Sequence, residues 1–295
     1  MRIAAIKRQD AEVAAILTDF GFLPLPSVND RFGKEWPVDI LGILTEGKLD
    51  EIKSWFSESE ISSSEKVKDL CVPLESVRFA PLYRRPRKIW GIGLNYKAHA
   101  EDLSERVPTQ EPASFMKPDT TIIGYGDEIR IPTMSEKTTG EAELVLVFGK
   151  KCKNVEASEW LTVLAGFTSA IDMTAEDILR RNPRNLTQSK SFDTFLSLGP
   201  ILYTADEVDD VYSLKIQTVI NGKVHAEDVV SNMTFPPDFL VSYHSRIMTM
   251  LPGDIILTGT PGAVPLKEGD VIECRITGFH PLVNPVVDLK LRRNR

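Results

Sequence analysis

Two glutamates separated by one residue, Glu141 and Glu143 in TTGEAELVLVFGK, are the first residues whose types and spacing suggest chemistry. On a strand, alternate side chains share a face, so these two carboxylates point the same way. Side by side against an apolar run they repel each other and lose hydration unless a cation sits between them. A hard divalent ion with oxygen ligands meets that demand. On spacing alone the pair also suits a solvated strand face that needs no metal. Asp172, in GFTSAIDMTAEDILRR, ends a strand-like apolar run just before a helical pattern. It reads either as an ordinary helix-start residue or as a third oxygen ligand. Three carboxylates on one Mg²⁺ leave positions for water and for a bidentate substrate.

A second constellation lies in LNYKAHAEDL. If the chain turns helical after Asn95, His99 and Asp102 fall at i and i+3 and share a face. An imidazole oriented by a carboxylate is the arrangement that activates a water. His99 equally suits a surface helix, and His225, His244 and His280 sit in patterns that suit surface or packing roles. Lys190, in SKSFDTFLSLGP, lies in a polar stretch between two apolar ones. Thr258 and Thr260 occupy the glycine-flanked turn of ILTGTPGAV, where backbone amides can meet an anion.

These residues need elements to hold them. MRIAAIKR reads as a strand, and DILGILTEGKLDEIKSWF as a short strand followed by an amphipathic helix with Leu49, Ile52, Trp55 and Phe56 on one face. The serine-rich SESEISSSEK is a loop. FAPLYRRPRK, with two prolines and clustered basic residues, is a linker, which predicts a small N-terminal α/β domain over 1–80 and a larger domain over 81–295. The larger part is β-rich. KIWGIGLNY, ELVLVFGK, GDIILTGTPGAV and GDVIECRITGF read as strands, and Asn221-Gly222 between two alternating runs is a strong hairpin signal. Helical patterns are fewer: ASEWLTVLAGF, TAEDILRR, and FPPDFLVSYHSRIMTM with Pro236-Pro237 near its start. Strand and helix do not alternate regularly, so the fold class expected is α+β with a mixed sheet. GIG at 91–93 lacks the third glycine and acidic partner of a dinucleotide fingerprint, and no GxxxxGK[ST] phosphate loop is present.

Bulk composition excludes several classes. The 295 residues, 42% of them hydrophobic, suffice for one large domain with a small companion. A net charge of -7 without long basic blocks argues against nucleic-acid binding. No apolar run reaches the roughly 18 residues of a membrane span. Charges interrupt the N-terminus where a signal peptide would be apolar, so a cytoplasmic location is expected. Cys71, Cys152 and Cys274 are odd in number and far apart, which suits reduced thiols better than disulfides or a zinc site.

Taken in order, GIGLNYKAHAEDL, PASFMKPDTTIIGYGDEIRIP, GEAELVLVFGKK, GFTSAIDMTAEDI, SKSFDTFLSLGP, INGKV and PGDIILTGTPGAV resemble the fumarylacetoacetate hydrolase (FAH) family over about residues 88–288. The resemblance implies an FAH-type mixed β-sheet rolled on itself, β-rich with few helices, in a homodimer. It implies Mg²⁺ or Mn²⁺, with Ca²⁺ a third choice, held by Glu141, Glu143 and Asp172. His99 would belong to a lid over the substrate and pair with a carboxylate, here Asp102. Lys190 and Thr260 would contact substrate, Lys190 adding positive charge beside an oxyanion. The activity implied is metal-dependent hydrolysis of a C–C bond in a small 2-oxo acid, an acylpyruvate or fumarylpyruvate. Decarboxylation or isomerisation of oxaloacetate or a related acid is the alternative, and a non-catalytic metal- or ligand-binding protein is a third. The chain departs from the family pattern at Asp102, where a glutamate is usual. It departs also at Glu176 and Leu179, where other members carry arginine and glutamine.

Overall fold

A computed structural model describes residues 1–58, 60–96 and 110–292. Two long antiparallel strands, Thr138–Phe148 and Leu164–Ala175, form its centre, and every residue of both is buried. The run 144–148, Leu-Val-Leu-Val-Phe, explains this for the first strand. β-Branched and aromatic side chains suit a pleated surface, and strands covered on both faces read as nearly continuous apolar runs. The main sheet runs in the order Gly21–Pro24, Ala11–Thr18, Arg2–Arg8, Ile201–Thr204, Leu164–Ala175, Thr138–Phe148, Ile255–Leu257, Ile89–Gly93 and Ala113–Lys117. Most pairs are antiparallel, but Ile255–Leu257 lies parallel to Ile89–Gly93. A smaller sheet comprises Lys223–Val229, Lys215–Ile220, Val271–Ile276, Leu282–Asp288 and Ile129–Ile131. The architecture is α+β and strand-rich, as expected.

Side-chain parity divides the core. Leu144, Leu146 and Phe148 pack with Phe167, Ile171, Ile216 and Ile272 on the side of the smaller sheet. Val145 and Val147 face the other way, onto Ile255, Leu257, Leu198 and the N-terminal Ile16, Leu23, Ile40 and Ile52. Glu141 and Glu143 share the parity of Val145 and Val147, so they lie on this second face. The N-terminal residues do more than pack there. Arg2–Arg8 pairs with Ile201–Thr204, so residues 2–24 add three strands to the main sheet.

The hairpin signal was sound: Asn221 (φ 51°) and Gly222 (φ 79°) form a two-residue turn with both residues left-handed. Two elements differ from the sequence expectation. Ile40–Thr45 is a helix, not a strand. Asp39 caps it by accepting from the Gly42 N–H at 2.8 Å, and Ile40, Ile43 and Leu44 bury one helical face. In ASEWLTVLAGF only Ala157–Val163 coils, as a 3₁₀ segment, and Leu164 already begins the long strand. Gly166 explains why the strand runs where it does. A Cβ there would sit 1.9 Å from the Tyr203 carbonyl oxygen, so the neighbouring strand approaches a position that no side chain can occupy. All three cysteines are free. Among the described residues, no helix is long and apolar enough to cross a membrane.

Candidate metal centre

Strand register builds the site. Glu141 lies directly opposite Asp172, and Glu143 opposite Ala170. Three carboxylates thus gather on one face, each offering an oxygen within 4.8 Å of the others. Glu141 is 7% exposed, Glu143 1% and Asp172 0%, which removes the solvated-face reading of the glutamate pair.

Two lysines enter this cluster. Lys190 ends the short helix Leu186–Lys190 and donates to Asp172 Oδ2 at 2.6 Å and to Glu141 Oε2 at 3.0 Å. Lys117 ends the edge strand Ala113–Lys117, lies 2.7 Å from Asp172 Oδ1, and donates to the Lys190 backbone carbonyl. Phe115, two residues earlier on the same face, lies under the Lys190 ammonium at 4.7 Å from its ring centroid. Gly91 leaves room for that ring, since a Cβ there would fall 2.3 Å from Phe115 Cζ. The Thr174 hydroxyl donates to Glu141 Oε1 at 2.5 Å, and the Gly259 N–H to Glu143 Oε2 at 2.6 Å.

The electrostatics follow from burial and from these contacts. Burial alone would raise the Asp172 carboxyl, but the Lys117 and Lys190 ammoniums outweigh it and hold it below the ordinary range. Glu143 shows the reverse: burial, then the Asp172 charge, push it well above the usual carboxylate value. Burial would depress Lys190, yet Asp172, Glu141 and Glu143 together raise it. Lys117 is lowered, because its desolvation exceeds the attraction of Asp172. Three carboxylates against two ammoniums leave the ionised cluster one negative charge in excess, in a place where an uncompensated charge costs several kcal/mol. The three carboxylates are hard oxygen donors, a set that suits Mg²⁺, Mn²⁺ or Ca²⁺ and not the nitrogen and sulfur preference of Zn²⁺.

The other expected residues fall as follows. Thr260 is buried, and its hydroxyl exchanges hydrogen bonds with Gly262, donating at 3.1 Å and accepting at 3.3 Å. It sits one residue beyond the amide that holds Glu143. His99 and Asp102 lie outside the described residues. Glu176 is buried and ion-paired with Lys137 at 2.7 Å and Arg180 at 2.6 Å, so its charge is met beside the helix Glu176–Arg181. Lys117 was not singled out from the sequence. The usable signal was an alternation in ASFMKP, which places Phe115 and Lys117 on one strand face.

A strand-rich α+β fold with a buried carboxylate–lysine centre defines a class, and sequence comparison supplies the family. The model of the fumarylacetoacetate hydrolase C-terminal domain matches residues 88–287, and the chain belongs to that family. An uncharacterized protein of Archaeoglobus fulgidus is 43% identical over 219 residues, covering 74% of this chain and 85% of that one. The mitochondrial oxaloacetate tautomerase FAHD2A of Homo sapiens is 38% identical over 225 residues, 73% of this chain and 71% of that one. Among solved structures, a 5-carboxymethyl-2-hydroxymuconate delta-isomerase from Mycobacterium smegmatis superposes with a TM-score of 0.73 at 28% identity. It covers 98% of this chain and 99% of its own. Relatives in this family are enzymes, among them a tautomerase and an isomerase.

Proposed function

We propose that this chain is a divalent-metal-dependent enzyme that interconverts the keto and enol forms of a small 2-oxo acid, with an oxaloacetate-like dicarboxylate as substrate class. The observation that carries the reading is the buried triad Glu141, Glu143 and Asp172 with Lys190 bonded to two of its members. Glu141, Glu143 and Asp172 would hold Mg²⁺ or Mn²⁺, with Ca²⁺ a third choice. The ion would supply Lewis-acid stabilisation of the charge that develops on the keto oxygen of a chelating 2-oxo acid. Lys190 fixes a second positive charge beside that oxygen. Thr174 and Gly259 orient the two glutamates. Lys117, paired with Asp172 on the opposite oxygen from Lys190, keeps that carboxylate ionised and available to the metal. Similarity to an oxaloacetate tautomerase and to a muconate isomerase, whose reactions are both proton relocations, favours this over bond cleavage. The test follows the absorbance of enol-oxaloacetate with Mg²⁺, with Mn²⁺ and with EDTA. Metal-dependent decay of the enol is expected; the same rate with and without protein under all three conditions would overturn the reading.

C–C hydrolysis of an acylpyruvate is the second reading, favoured by the His99 and Asp102 spacing. His99→Ala should then abolish hydrolysis while leaving most of the tautomerisation, and equal losses in both assays would exclude water activation by His99. A non-catalytic binder would turn over none of these substrates. The homodimer belongs to the same proposal and is checked by light scattering, as the cytoplasmic location is by cell fractionation.

A further inference from the structure

One buried residue outside the carboxylate–lysine cluster reaches it through a single peptide unit. Asn95 is fully buried and its side chain is saturated. Its Nδ2 donates to the Thr258 carbonyl at 2.8 Å and to the Phe235 carbonyl at 3.0 Å, while its Oδ1 accepts from the Phe235 N–H at 2.8 Å. The Thr258 carbonyl and the Gly259 N–H are opposite ends of one planar peptide, so gripping the first fixes the direction of the second. That Gly259 N–H is the group that donates to Glu143 Oε2 at 2.6 Å. Gly259 has a φ of +92°, and a Cβ on it would lie 2.8 Å from Asn95 Cβ, so the turn packs onto Asn95 with no room between. On its other side Thr258 is pinned to the Leu144 carbonyl, by its hydroxyl at 2.9 Å and its N–H at 3.1 Å.

We infer that Asn95 is a positioning residue: through the rigid 258–259 peptide it aims the Gly259 amide and so sets the orientation in which Glu143 receives the metal. The inference rests on the metal reading above. Groups that orient a ligand from behind typically change metal affinity by about 10–100-fold when lost.

A comparable residue serves as control. Asn284 is also fully buried and accepts from Ser197 Oγ at 2.7 Å while donating to the Gly124 and Asp127 carbonyls at 2.7 and 2.8 Å. None of those partners belongs to the cluster. Asn95→Asp keeps the shape and the acceptor for Phe235 but turns an oxygen toward the Thr258 carbonyl. Mn²⁺ affinity by calorimetry and thermal unfolding are measured on the full chain for wild type, Asn95→Asp, Asn95→Ser and Asn284→Asp. Asn95→Ser serves if the aspartate variant does not fold. The Asn95 variants should weaken Mn²⁺ binding by about 10–30-fold. Asn284→Asp should lower the unfolding temperature and leave the affinity within about twofold. Wild-type binding with unchanged affinity in the Asn95 variants, or an equal loss in Asn284→Asp, overturns the inference alone. No Mn²⁺ binding by the wild type overturns the metal reading, and the inference with it.

Discussion

The two ends of the strand Thr138–Phe148 treat buried charge in opposite ways. At the far end, Phe148 donates its N–H to the Asp254 carbonyl, and the fully buried Asp254 side chain pairs with Lys88 at 2.5 Å and accepts from the Leu251 N–H at 2.7 Å. One acid meets one base, and the pair ties a turn to the start of a neighbouring strand. At the near end, Glu141 and Glu143 join Asp172, and two lysines offset two of three charges. The first arrangement balances its charge, one to one, on Asp254 Oδ2. The second gathers three carboxylates on two lysines and, with all three ionised, is one positive charge short, the imbalance on which the proposed metal role rests.

Substitutions at the two ends should therefore fail differently. Glu141→Ala removes a ligand and should abolish Mn²⁺ binding in calorimetry and cut turnover by about 10³-fold, the several kcal/mol that charge stabilisation by a metal is worth. Lys190→Met splits two properties that Glu141→Ala loses together. Turnover should fall about 10²-fold, while Mn²⁺ binding tightens about tenfold, because a cation 2.6–3.0 Å from two ligand oxygens no longer competes. Weaker metal binding in this variant would mean that Lys190 supports the ligands and does not oppose the ion. Asp254→Asn leaves Lys88 without its partner and should cost about 3 kcal/mol in denaturant unfolding, with Mn²⁺ affinity unchanged. The smallest effect is a slope. Because the folded-state value of Glu143 is raised, the metal-free chain binds a proton more tightly than its unfolded form. Between the ordinary value of 4.5 and the raised one, stability of the EDTA-treated protein should rise as pH falls, and be lost as pH rises through the folded value. Mn²⁺ must displace that proton, so its affinity should weaken about tenfold per pH unit in the same window as pH falls. Asp172 acts in the opposite sense at lower pH. Its contribution is present above the ordinary value of 3.8 and disappears as pH falls through its lowered folded value.

Much of this was legible in the sequence. The Glu141 and Glu143 alternation and the Asn221-Gly222 turn are local signals, and local signals survive folding. Burial of the glutamates was not legible, since the same spacing suits an exposed face until the strands on either side are known. Lys117 escaped for a related reason. Nothing near it in the chain points to Asp172; they meet only because the sheet brings an edge strand and the helix Leu186–Lys190 to the same acid. Ile40–Thr45 reads as a strand in the sequence because a run as short as ILGILT does not by itself separate strand from helix, and the deciding cap, Asp39, lies just before it. The Asn95 connection depends on a peptide group, which no side-chain pattern records.

The junction between Arg2–Arg8 and Ile201–Thr204 has a practical consequence. Residues 2–24 supply none of the side chains in the carboxylate–lysine centre, yet they cover the flank of the strand that leads into it. Trimming them to isolate the enzyme core would leave Ile201–Thr204 as a raw edge of unpaired amides and carbonyls. Such edges template intermolecular β-pairing, so the shortened protein should aggregate before it loses any ligand to metal or substrate.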